Sequence, residues 1–410
     1  MLADDLIIGL DIGTTKVCTV VGDPRENHLI NVIGEGHAPS GDGVKKGTIV
    51  DIEKTTQAII EAVEEAEKVA DVVIERVFVG VAGSHIGSLN SQGIVAIKGT
   101  NHEITAEDID RAVENAKTAI SIPPQQEIIH ILPREFVVDA QKEIINPIGM
   151  VGTRLEAQVH IVTGAVTAIQ NIIKCCETAK LKVEDVVLQP YASSMAVLSE
   201  DEKKLGVALV DLGGGTTDLI IFQNGHVIHS FSAPLGGQNV TNDIAVVLKT
   251  STAAAENLKI RFGFARADLV DEGSAIEVPV GGGDKIKPFP QRYLAQIIEP
   301  RMEEIFSEVK QEISKHVKLD MIPAGIVLTG GTSLMGGCPE LAEEILGLPV
   351  RRGNPIDIGG LRERVQSPIY STALGLIRYG SQNYRNEVVE NGIVGGVMDR
   401  IRALFKRFFD

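Results

Sequence analysis

Two short segments rich in glycine and threonine carry the residue types that bind phosphate groups. The first, DIGTTK, runs from Asp11 to Lys16, and the second, DLGGGTTD, runs from Asp211 to Asp218. Glycine allows the main chain to approach an anion closely, while threonine hydroxyls and backbone amides donate hydrogen bonds to it. A lysine adds a positive charge to the first segment. The candidate phosphate ligands are Gly13, Thr14, Thr15, Lys16, Gly213, Gly214, Gly215, Thr216 and Thr217.

Each segment begins with an aspartate that follows an apolar run, Asp11 in one case and Asp211 in the other. If the two carboxylates faced each other across a cleft, they could hold a hydrated Mg²⁺ ion, largely through water. This ion prefers a few carboxylates combined with phosphate oxygens and retained water. The sequence has no phosphate loop of the type GxxxxGKS or GxxxxGKT, which disfavours a P-loop fold.

A third glycine-rich loop, GIVLTGGTSLMGG, spans residues 325–337. Its Gly330 and Gly331 follow a strand-like run, at a place where a side chain would block a flat ligand such as a nucleobase. A single Gly/Thr turn between two strands is usually only a hairpin turn. Two similar turns and a further Gly-Gly loop in one chain predict a nucleotide-binding cleft.

The elements that must position these loops are repeated along the chain. The segments LIIGLDIGTTKVCTVVGD and GVALVDLGGGTTDLIIFQNG, residues 6–23 and 206–225, share a strand, an acidic residue, a Gly/Thr turn and a second strand. This pattern predicts an internal duplication. After the first copy, apolar residues at helical spacing predict a helix that begins at Asp51, its N-cap, and ends near Ala70.

Between the two copies, residues 84–162 have a different pattern. Thr105 precedes apolar residues at helical spacing and predicts a capped helix, and strand-like runs flank this helix on both sides. A small α+β insertion is therefore expected. After the second copy, residues 243–318 are predicted to be mostly helical, interrupted by a glycine-rich loop at Gly281–Gly283.

The bulk composition of the 410-residue chain excludes several classes of function. Its formal net charge of −16 argues against general binding of nucleic acids, whose phosphates demand basic surfaces. The four cysteines contain no CxxC pair, which together with the absence of a signal peptide predicts reduced thiols in a cytoplasmic protein. His226 and His229 fall on a predicted strand, where side chains three apart point to opposite faces, so the pair is not predicted to bind a metal. No apolar run reaches the ~18 residues of a membrane-spanning helix, so any membrane contact is expected to be peripheral.

The C-terminal segment combines apolar and basic residues in a pattern typical of an amphipathic helix. A polar stretch at Ser381–Gly392, expected to be a linker, precedes residues 393–410, whose seven large apolar side chains fall within an arc of about 140° at ~100° per residue. Four basic residues lie outside this arc, against the acidic Asp399 and Asp410, so the local net charge is +2. The pattern favours a helix on an anionic membrane surface over a helix docked on its own domain. The predicted membrane-binding residues are Val397, Met398, Arg400, Ile401, Arg402, Leu404, Phe405, Lys406, Arg407, Phe408 and Phe409.

In order along the chain, the three loops resemble the phosphate 1, phosphate 2 and adenosine motifs of the superfamily that contains actin, the heat-shock chaperone ATPases and the sugar kinases. Within it, the stretches GVAGSHIGSLNSQG, residues 80–93, and NPIGMVGTRLEAQVHIVTG, residues 146–164, resemble the FtsA family. This resemblance covers essentially the whole chain. It implies an α/β fold: a duplicated, two-lobed actin-like ATPase fold with a small α+β inserted subdomain, 1C, and a C-terminal amphipathic helix.

The same resemblance divides the chain into subdomains. They are 1A (residues 1–83 and 163–190), 1C (84–162), 2A (191–242 and 319–380), 2B (243–318), a linker (381–392) and a membrane-targeting helix (393–410). These boundaries place the two phosphate motifs in 1A and 2A, one in each lobe.

Further site residues follow from the resemblance. Gln189, in LQPYASSMAVL, is similar to the superfamily residue that orients the attacking water. Asp211 is also assigned a catalytic role, because it is expected to help hold the magnesium ion. Glu256 and Lys259, one helical turn apart, resemble the pair that holds the adenosine ribose and base. The alternative for this pair is a solvent-exposed salt bridge on a helix. STALGL, residues 371–376, resembles the second segment that connects the lobes.

Membership of this family would imply an adaptor that binds ATP and Mg²⁺ and has at most slow ATPase activity. Such a protein forms actin-like filaments, binds the C-terminal peptide of the tubulin-like FtsZ on residues 243–318 and contacts other membrane division proteins through residues 84–162. It tethers the FtsZ ring to the cytoplasmic face of the cell membrane at the division site, recruits later division proteins and binds no nucleic acid. Two alternatives within the superfamily are a PilM-like pilus-assembly protein, not expected to end in a basic amphipathic helix, and a small-molecule kinase, for which no catalytic base is identified.

Overall fold

The structure is a computed structural model that describes residues 6–24, 29–98, 101–280 and 285–389. It has the α/β architecture expected from the sequence, with two large β-sheets and helices packed on them. The predicted membrane-binding helix at 393–410 lies outside the described residues. Each helix inside the described ranges is too short or too polar to span a lipid bilayer.

The first lobe begins with a hairpin of two apolar strands that are buried on both faces. Strands of this kind belong to sheets that helices cover on both sides. The elements are β1 (Ile7–Ile12), β2 (Lys16–Asp23), β3 (Ile30–Pro39), β4 (Val44–Lys45), β5 (Thr48–Ile49), α1 (Ile52–Ala70) and β6 (Arg76–Val81). As predicted, α1 begins after Asp51, whose carboxylate accepts a hydrogen bond from the backbone amide of Lys54 at 3.1 Å.

The inserted subdomain is a small sheet covered by one helix. Its elements are β7 (Gly87–Ala96), α2 (Ala106–Thr118), β8 (Gln126–Val138), β9 (Gln141–Ile144) and β10 (Arg154–Ala165). The strand order is β7-β10-β8-β9, and every pairing is antiparallel. Thr105 and Asp108 form a reciprocal capping box at the start of α2. The predicted α+β insertion is confirmed.

The chain then returns to the first lobe before it enters the second lobe through a connecting helix. The elements are α3 (Val166–Thr178), β11 (Lys182–Leu188), α4 (Gln189–Val197), α5 (Glu200–Leu205), β12 (Val207–Leu212), β13 (Thr217–Gln223) and β14 (His226–Ala233). Of these, α3 and β11 belong to the first lobe, and α4 is the connecting helix. Asn224 and Gly225 both have positive φ, 53° and 84°, as a tight two-residue hairpin turn requires.

The next segment was expected to be helical on both sides of a glycine-rich loop, and this expectation is partly wrong. The elements are α6 (Gly237–Leu248), α7 (Thr252–Phe262), β15 (Ala275–Val280), β16 (Lys285–Pro290) and α8 (Gln291–His316). The strands β15 and β16 pair antiparallel and flank the glycines. Ile276 and Val278 are buried at alternate positions of β15, and this period of two is the strand signal that the prediction missed.

The last part of the chain completes both sheets. Its elements are β17 (Ile326–Thr329), α9 (Cys338–Leu346), β18 (Val350–Arg352), β19 (Ile358–Gly360), α10 (Arg362–Val365) and α11 (Ser371–Val389). The long helix α11 continues into the polar stretch that was expected to be a linker, so residues 381–389 are helical. Polarity alone does not end a helix, and residues 381–389 contain neither glycine nor proline.

The two large sheets repeat one topology, which confirms the internal duplication. The order β11-β6-β1-β2-β3 in the first sheet matches β18-β17-β12-β13-β14 in the second. In both, the hairpin strands pair antiparallel and the inner strand pairs parallel with its neighbour, β1 with β6 and β12 with β17. β19 adds a sixth strand to the first sheet beside β3.

Two helices, α4 and α11, pack against each other between the lobes. A Cβ atom added to Gly375 of α11 would lie 1.8 Å from the carbonyl oxygen of Ala192 in α4, so the two backbones are in direct contact. Their buried side chains form one core cluster with strands of both sheets. The predicted connecting segments are thus helices that join the lobes.

The inserted subdomain is attached to the second lobe by side chains of its edge strand β7. Ser88 Oγ donates to the carbonyl oxygen of Ser230 at 2.7 Å, and Asn90 Nδ2 donates to that of Ile228 at 3.1 Å. His160 Nε2 lies 3.0 Å from Ser230 Oγ. Two residues of β14, the edge strand of the second sheet, are therefore held by polar contacts from the inserted subdomain.

Candidate functional site

The two predicted phosphate turns have the same internal geometry. Asp11 pairs with Cys18 across the first hairpin, and Asp211 pairs with Asp218 across the second, so the same number of residues separates the paired positions. In each turn the first glycine amide donates to the carbonyl oxygen three residues later at 2.9 Å, Gly13 in the first and Gly213 in the second. The duplication therefore extends to the backbone of the site.

The turns touch each other where the two lobes meet. A Cβ atom on Gly214 would lie 2.4 Å from Thr15 Cγ2, and one on Gly215 would lie 2.3 Å from Thr14 Oγ1. Such distances leave no space for a side chain at either glycine. The predicted ligands Gly13 to Lys16 and Gly213 to Thr217 thus form two facing walls of one cleft.

Asp11 lies at the base of this cleft, at the end of β1. It is half-buried, and Gln189 Nε2 donates a hydrogen bond to its Oδ1 at 3.0 Å. Burial raises the pKa of Asp11 to about 7; the positive charge of Lys16 opposes this rise, and the negative charge of Asp211 adds to it. The structure therefore brings together Gln189 and Asp11, which are far apart in sequence.

Asp211 lies at the equivalent place in the second lobe and is supported by the connecting helices. Ser193 Oγ, from α4, donates to Asp211 Oδ2 at 2.7 Å and lies 3.0 Å from Thr372 Oγ1 of α11. Burial raises the pKa of Asp211 to about 6, and hydrogen bonds from Ser193 and Thr372 oppose the rise. Neither hydroxyl lies in one of the glycine-rich motifs, so the sequence pattern does not mark it as part of the site.

A third carboxylate, Asp218, belongs to the same cluster and was not among the predicted site residues. It is 3% exposed, accepts a hydrogen bond from Thr216 Oγ1 at 2.9 Å, and its Oδ1 is buried without a hydrogen-bond partner. Burial raises its pKa to about 7, and the negative charges of Asp211 and Asp11 contribute to the rise. The sequence signal was its position as the last residue of the second motif, where the first hairpin has Cys18.

Lys16 does not point at the second turn in this structure. Its Nζ lies over the ring of Tyr370, 4.5 Å from the ring centroid, in a cation–π contact. Its charge still lowers the pKa of Asp11. Contact with a phosphate would require rotation of this flexible side chain.

The third glycine-rich loop lies against Asp211. Gly330 has a φ of 81°, and a Cβ atom there would lie 2.3 Å from Asp211 Oδ1. Glycine is therefore required at this position both by the left-handed backbone and by the close approach. Gly331 is more open, since a Cβ atom there would meet Ile369 at 3.8 Å. The loop thus forms a third wall of the cleft.

Glu256 and Lys259 lie beside the second turn rather than in solvent. Lys259 Nζ donates to Glu256 Oε2 at 2.8 Å, to Thr241 Oγ1 at 2.9 Å and to the carbonyl oxygen of Gly237 at 3.0 Å. Lys259 is buried, and burial lowers its pKa while Glu256 opposes that change. The alternative of a solvent-exposed salt bridge is therefore wrong for the lysine.

Backbone contacts connect this pair to the other loops. The amide of Gly237 donates to the carbonyl oxygen of Gly213 at 3.0 Å, and Thr332 Oγ1 donates to the same oxygen at 2.9 Å. The start of α6, the second phosphate turn and the third loop consequently meet at Gly213. The residues predicted to hold a nucleoside and those predicted to hold phosphates are contiguous in space.

Solved structures of low sequence identity share this fold. The PilM–PilN type IV pilus biogenesis complex aligns with a TM-score of 0.66 at 18% identity, over 92% of this chain and 98% of that chain. MreB 5 of Spiroplasma citri bound to AMPPNP aligns with a TM-score of 0.56 at 13% identity, over 95% of this chain and 99% of that chain. Together with the duplicated sheets and the three-walled cleft, these likenesses define the class: the protein has the actin-like fold.

Comparison at the level of sequence narrows the class to one family. A family model described as cell division protein FtsA matches residues 208–375, and one described as the SHS2 domain inserted in FtsA matches residues 83–163. The cell division protein FtsA of Pseudomonas aeruginosa is 48% identical over 92% of this chain and 89% of its own length, and that of Neisseria meningitidis is 45% identical over 98% of both. The chain belongs to the FtsA family of cell division proteins. Its likeness to the PilM complex is one of fold alone.

Proposed function

We propose that this cell division protein binds ATP with Mg²⁺ in the cleft between its lobes. The observation that carries the proposal is the convergence of three carboxylates, the half-buried Asp11 and the buried Asp211 and Asp218, on two facing phosphate-type turns. Their mutual repulsion and the unpartnered Oδ1 of Asp218 fit a divalent cation, which favours ionised oxygen ligands.

Each wall of the cleft has a separate role in this proposal. The glycines and threonines of the two turns, with Lys16, bind the phosphates through backbone amides, hydroxyls and one positive charge. Gly330 and Gly331 leave room for the base, and Glu256 and Lys259 lie where the ribose and base would extend from the phosphates. The magnesium ion, when bound, neutralises the charge of the phosphate oxygens and of the surrounding carboxylates. The AMPPNP in the Spiroplasma citri MreB 5 structure supports a nucleotide as the ligand of this fold.

We expect ATP hydrolysis to be slow at most, because Gln189, which is hydrogen-bonded to Asp11, cannot act as a base. The amide nitrogen of Gln189 donates to Asp11, which leaves its carbonyl oxygen to accept a hydrogen bond from a water molecule. Such a contact can orient the water but cannot remove its proton at neutral pH. Gln189 would therefore position the water, and Asp211 would act through the magnesium ion.

We further propose that the protein polymerises and tethers the FtsZ ring to the cytoplasmic face of the cell membrane at the division site. The basic amphipathic pattern of residues 393–410 supports the membrane contact, and the actin-like fold, shared with the MamK double helical filament at a TM-score of 0.50, supports self-assembly. A single tail of this size is expected to contribute ~4–8 kcal/mol, a millimolar-to-micromolar affinity. A filament presents many tails at once. After one tail has bound, the others are held near the membrane at a high effective concentration, so the filament would bind firmly.

The partner surfaces follow from family membership. We propose that residues 243–318 bind the C-terminal peptide of FtsZ and that residues 84–162 contact other membrane division proteins, which the protein recruits.

The nucleotide proposal is tested by measuring the affinity of the full-length protein for ATP with and without Mg²⁺. We expect Mg²⁺-dependent binding that is lost in a variant carrying Asp11→Asn and Asp211→Asn. Asp42→Asn, which changes an exposed carboxylate of the first lobe, serves as the matched control and should bind as the parent does. Unchanged ATP affinity in the double variant would contradict the proposal. Electron microscopy on an anionic lipid monolayer with and without ATP tests assembly in the same preparation.

A further inference from the structure

Three metal-binding side chains meet far from the cleft, where the second sheet contacts α8. His229 lies on β14, and Glu312 and His316 lie one turn apart near the end of α8. His229 Nε2 lies 2.9 Å from Glu312 Oε1, and His316 Nε2 lies 3.3 Å from the same oxygen. One ligand atom from each of the three residues lies within 4.8 Å of the other two. Two imidazole groups and one carboxylate are therefore close enough together to bind a single metal ion.

The surroundings fix two of these side chains and leave the third accessible. His229 is 8% exposed and Glu312 is 6% exposed, whereas the side chain of His316 is 42% exposed. Lys315 Nζ lies 2.9 Å from Glu312 Oε2, so the second carboxylate oxygen is occupied and Oε1 faces the histidines. A site built in this way has a fixed inner wall and an open outer side from which an ion and a water ligand can enter.

We propose that His229, Glu312 and His316 bind a divalent transition metal ion of the Zn²⁺ class. Two histidines and one carboxylate with an open position form a ligand set that zinc accepts in tetrahedral coordination. Imidazole ligands select zinc, copper or nickel over Mg²⁺, which distinguishes this cluster from the carboxylates of the cleft.

The chemistry of the ion-free cluster supports this assignment. The two imidazole rings are stacked with centroids 3.6 Å apart and an interplanar angle of 15°, so both present their Nε2 atoms at the same edge. Two positively charged rings could not stack so closely, because like charges repel. The exposed His316 ring would rotate from the stack to aim its lone pair at the ion.

A metal ion at this position would connect two parts of the second lobe. β14 belongs to the sheet that carries the second phosphate turn, whereas α8 belongs to the predicted subdomain 2B. Coordination would therefore link the strand to the helix more firmly than the single His229–Glu312 hydrogen bond does. Binding to the folded state alone also stabilises that state.

The proposal is tested with Zn²⁺ and Co²⁺ as the probes. The full-length protein is stripped with a chelator, exchanged into buffer containing Mg²⁺ to saturate the cleft, and titrated with Zn²⁺ in competition with a coloured chelator. We expect one Zn²⁺ per chain, a visible absorption band with Co²⁺, and an increase in Tm on addition of Zn²⁺. His316→Gln should weaken Zn²⁺ affinity by at least about 10- to 100-fold. Removal of a residue that only supports a metal ligand already causes a loss of this size, and His316 would be a ligand itself. Glu312→Gln should weaken it similarly.

Controls separate loss of the site from loss of folding. His316 is partly exposed, so His316→Gln should unfold at the same temperature as the parent in the absence of metal. His102→Asn, which changes an exposed histidine of the inserted subdomain, should bind Zn²⁺ as the parent does. Equal Zn²⁺ affinity of His316→Gln and the parent would overturn the proposal. So would Zn²⁺ binding that is abolished by Asp218→Asn in the cleft but retained by His316→Gln.

Discussion

Asp211 and Asp218 face each other across the antiparallel pair β12–β13, at the place where the first lobe pairs Asp11 with Cys18. The duplication is therefore symmetric in backbone but asymmetric in charge. One hairpin contributes two buried carboxylates to the cleft and the other contributes one. This arrangement concentrates negative charge that the described side chains compensate only in part, and it makes the cleft sensitive to protons and to cations.

The first prediction concerns the pH dependence of stability without nucleotide. The folded-state pKa values of Asp11 and Asp218, about 7, and of Asp211, about 6, exceed the ordinary value of 3.8. The folded state therefore retains protons that the unfolded chain has released, so stability is lost as the pH rises through these values. The loss begins near the unfolded-state pKa and is complete above the folded-state values, so we expect the free energy of unfolding to fall by about 2–4 kcal/mol per group between about pH 4 and about pH 7, measured by urea unfolding.

Asp218→Asn provides the control for this prediction. The variant should be more stable than the parent at the upper end of the pH range and should show a shallower pH profile. Mg²⁺ with ATP should also flatten the profile of the parent, because a bound cation favours the ionised carboxylates. A profile that is identical in Asp218→Asn and the parent would contradict the assignment.

The second prediction concerns the contact between the two phosphate turns. Gly214→Ala should destabilise the nucleotide-free protein by about 1–3 kcal/mol, because the added methyl group would overlap the Thr15 side chain. Thr15→Ala removes the overlapping atoms, so the double variant should regain most of the lost stability. Thermal unfolding of the double-mutant cycle measures this coupling.

Gly331→Ala is the steric control, since its methyl group would meet nothing nearer than Ile369 at 3.8 Å. If Gly214→Ala were equally destabilising with and without Thr15→Ala, the turns would not be in contact in solution.

The third prediction separates two roles of Lys259. Lys259→Met should destabilise the protein by about 1–3 kcal/mol, because three buried oxygens lose a charged donor. If the lysine also holds the nucleoside, the affinities for ATP, ADP and AMP should fall by a similar factor, since all three share the adenosine. Isothermal titration at a temperature where the variant is folded measures this.

Arg261→Gln changes an exposed cation on the same helix and should leave both quantities unaltered. A drop in Tm with unchanged nucleotide affinity would limit Lys259 to its structural contacts.

The fourth prediction concerns the tail. Phe405→Glu should reduce co-sedimentation with anionic liposomes by about tenfold or more, because burial of one phenylalanine contributes about 1.5–3 kcal/mol. Phe405→Leu keeps an apolar side chain and should bind nearly as the parent does. Undiminished binding of Phe405→Glu would refute the tether.

Much of the fold was predictable because its signals are local. The two hairpins, the Asp51 cap and the Thr105 capping box each lie within a few consecutive residues and occur as expected. The β15–β16 hairpin was missed because it is short and contains prolines. The polar residues 381–389 were expected to be a linker, although they continue α11.

The site was predictable only where its residues form repeated motifs. Asp11, Asp211 and the glycine turns stand out by their duplication, and Asp218 could have been found by aligning the two copies. Ser193 and Thr372 reach Asp211 through the packing of α4 on α11, which no local pattern encodes. The same limit applies to the metal-binding cluster of His229, since Glu312 lies 83 residues away along the chain.

The polar contacts of Ser88 and Asn90 with β14 have a consequence for solubility. β14 and β7 are each the last strand of their sheet, and an unpaired edge is a template on which another chain can add a strand. Because backbone carbonyl oxygens of β14 accept hydrogen bonds from the insertion, this edge is not free to add a strand from another chain. The insertion thereby protects the second sheet from indiscriminate β-aggregation along this edge.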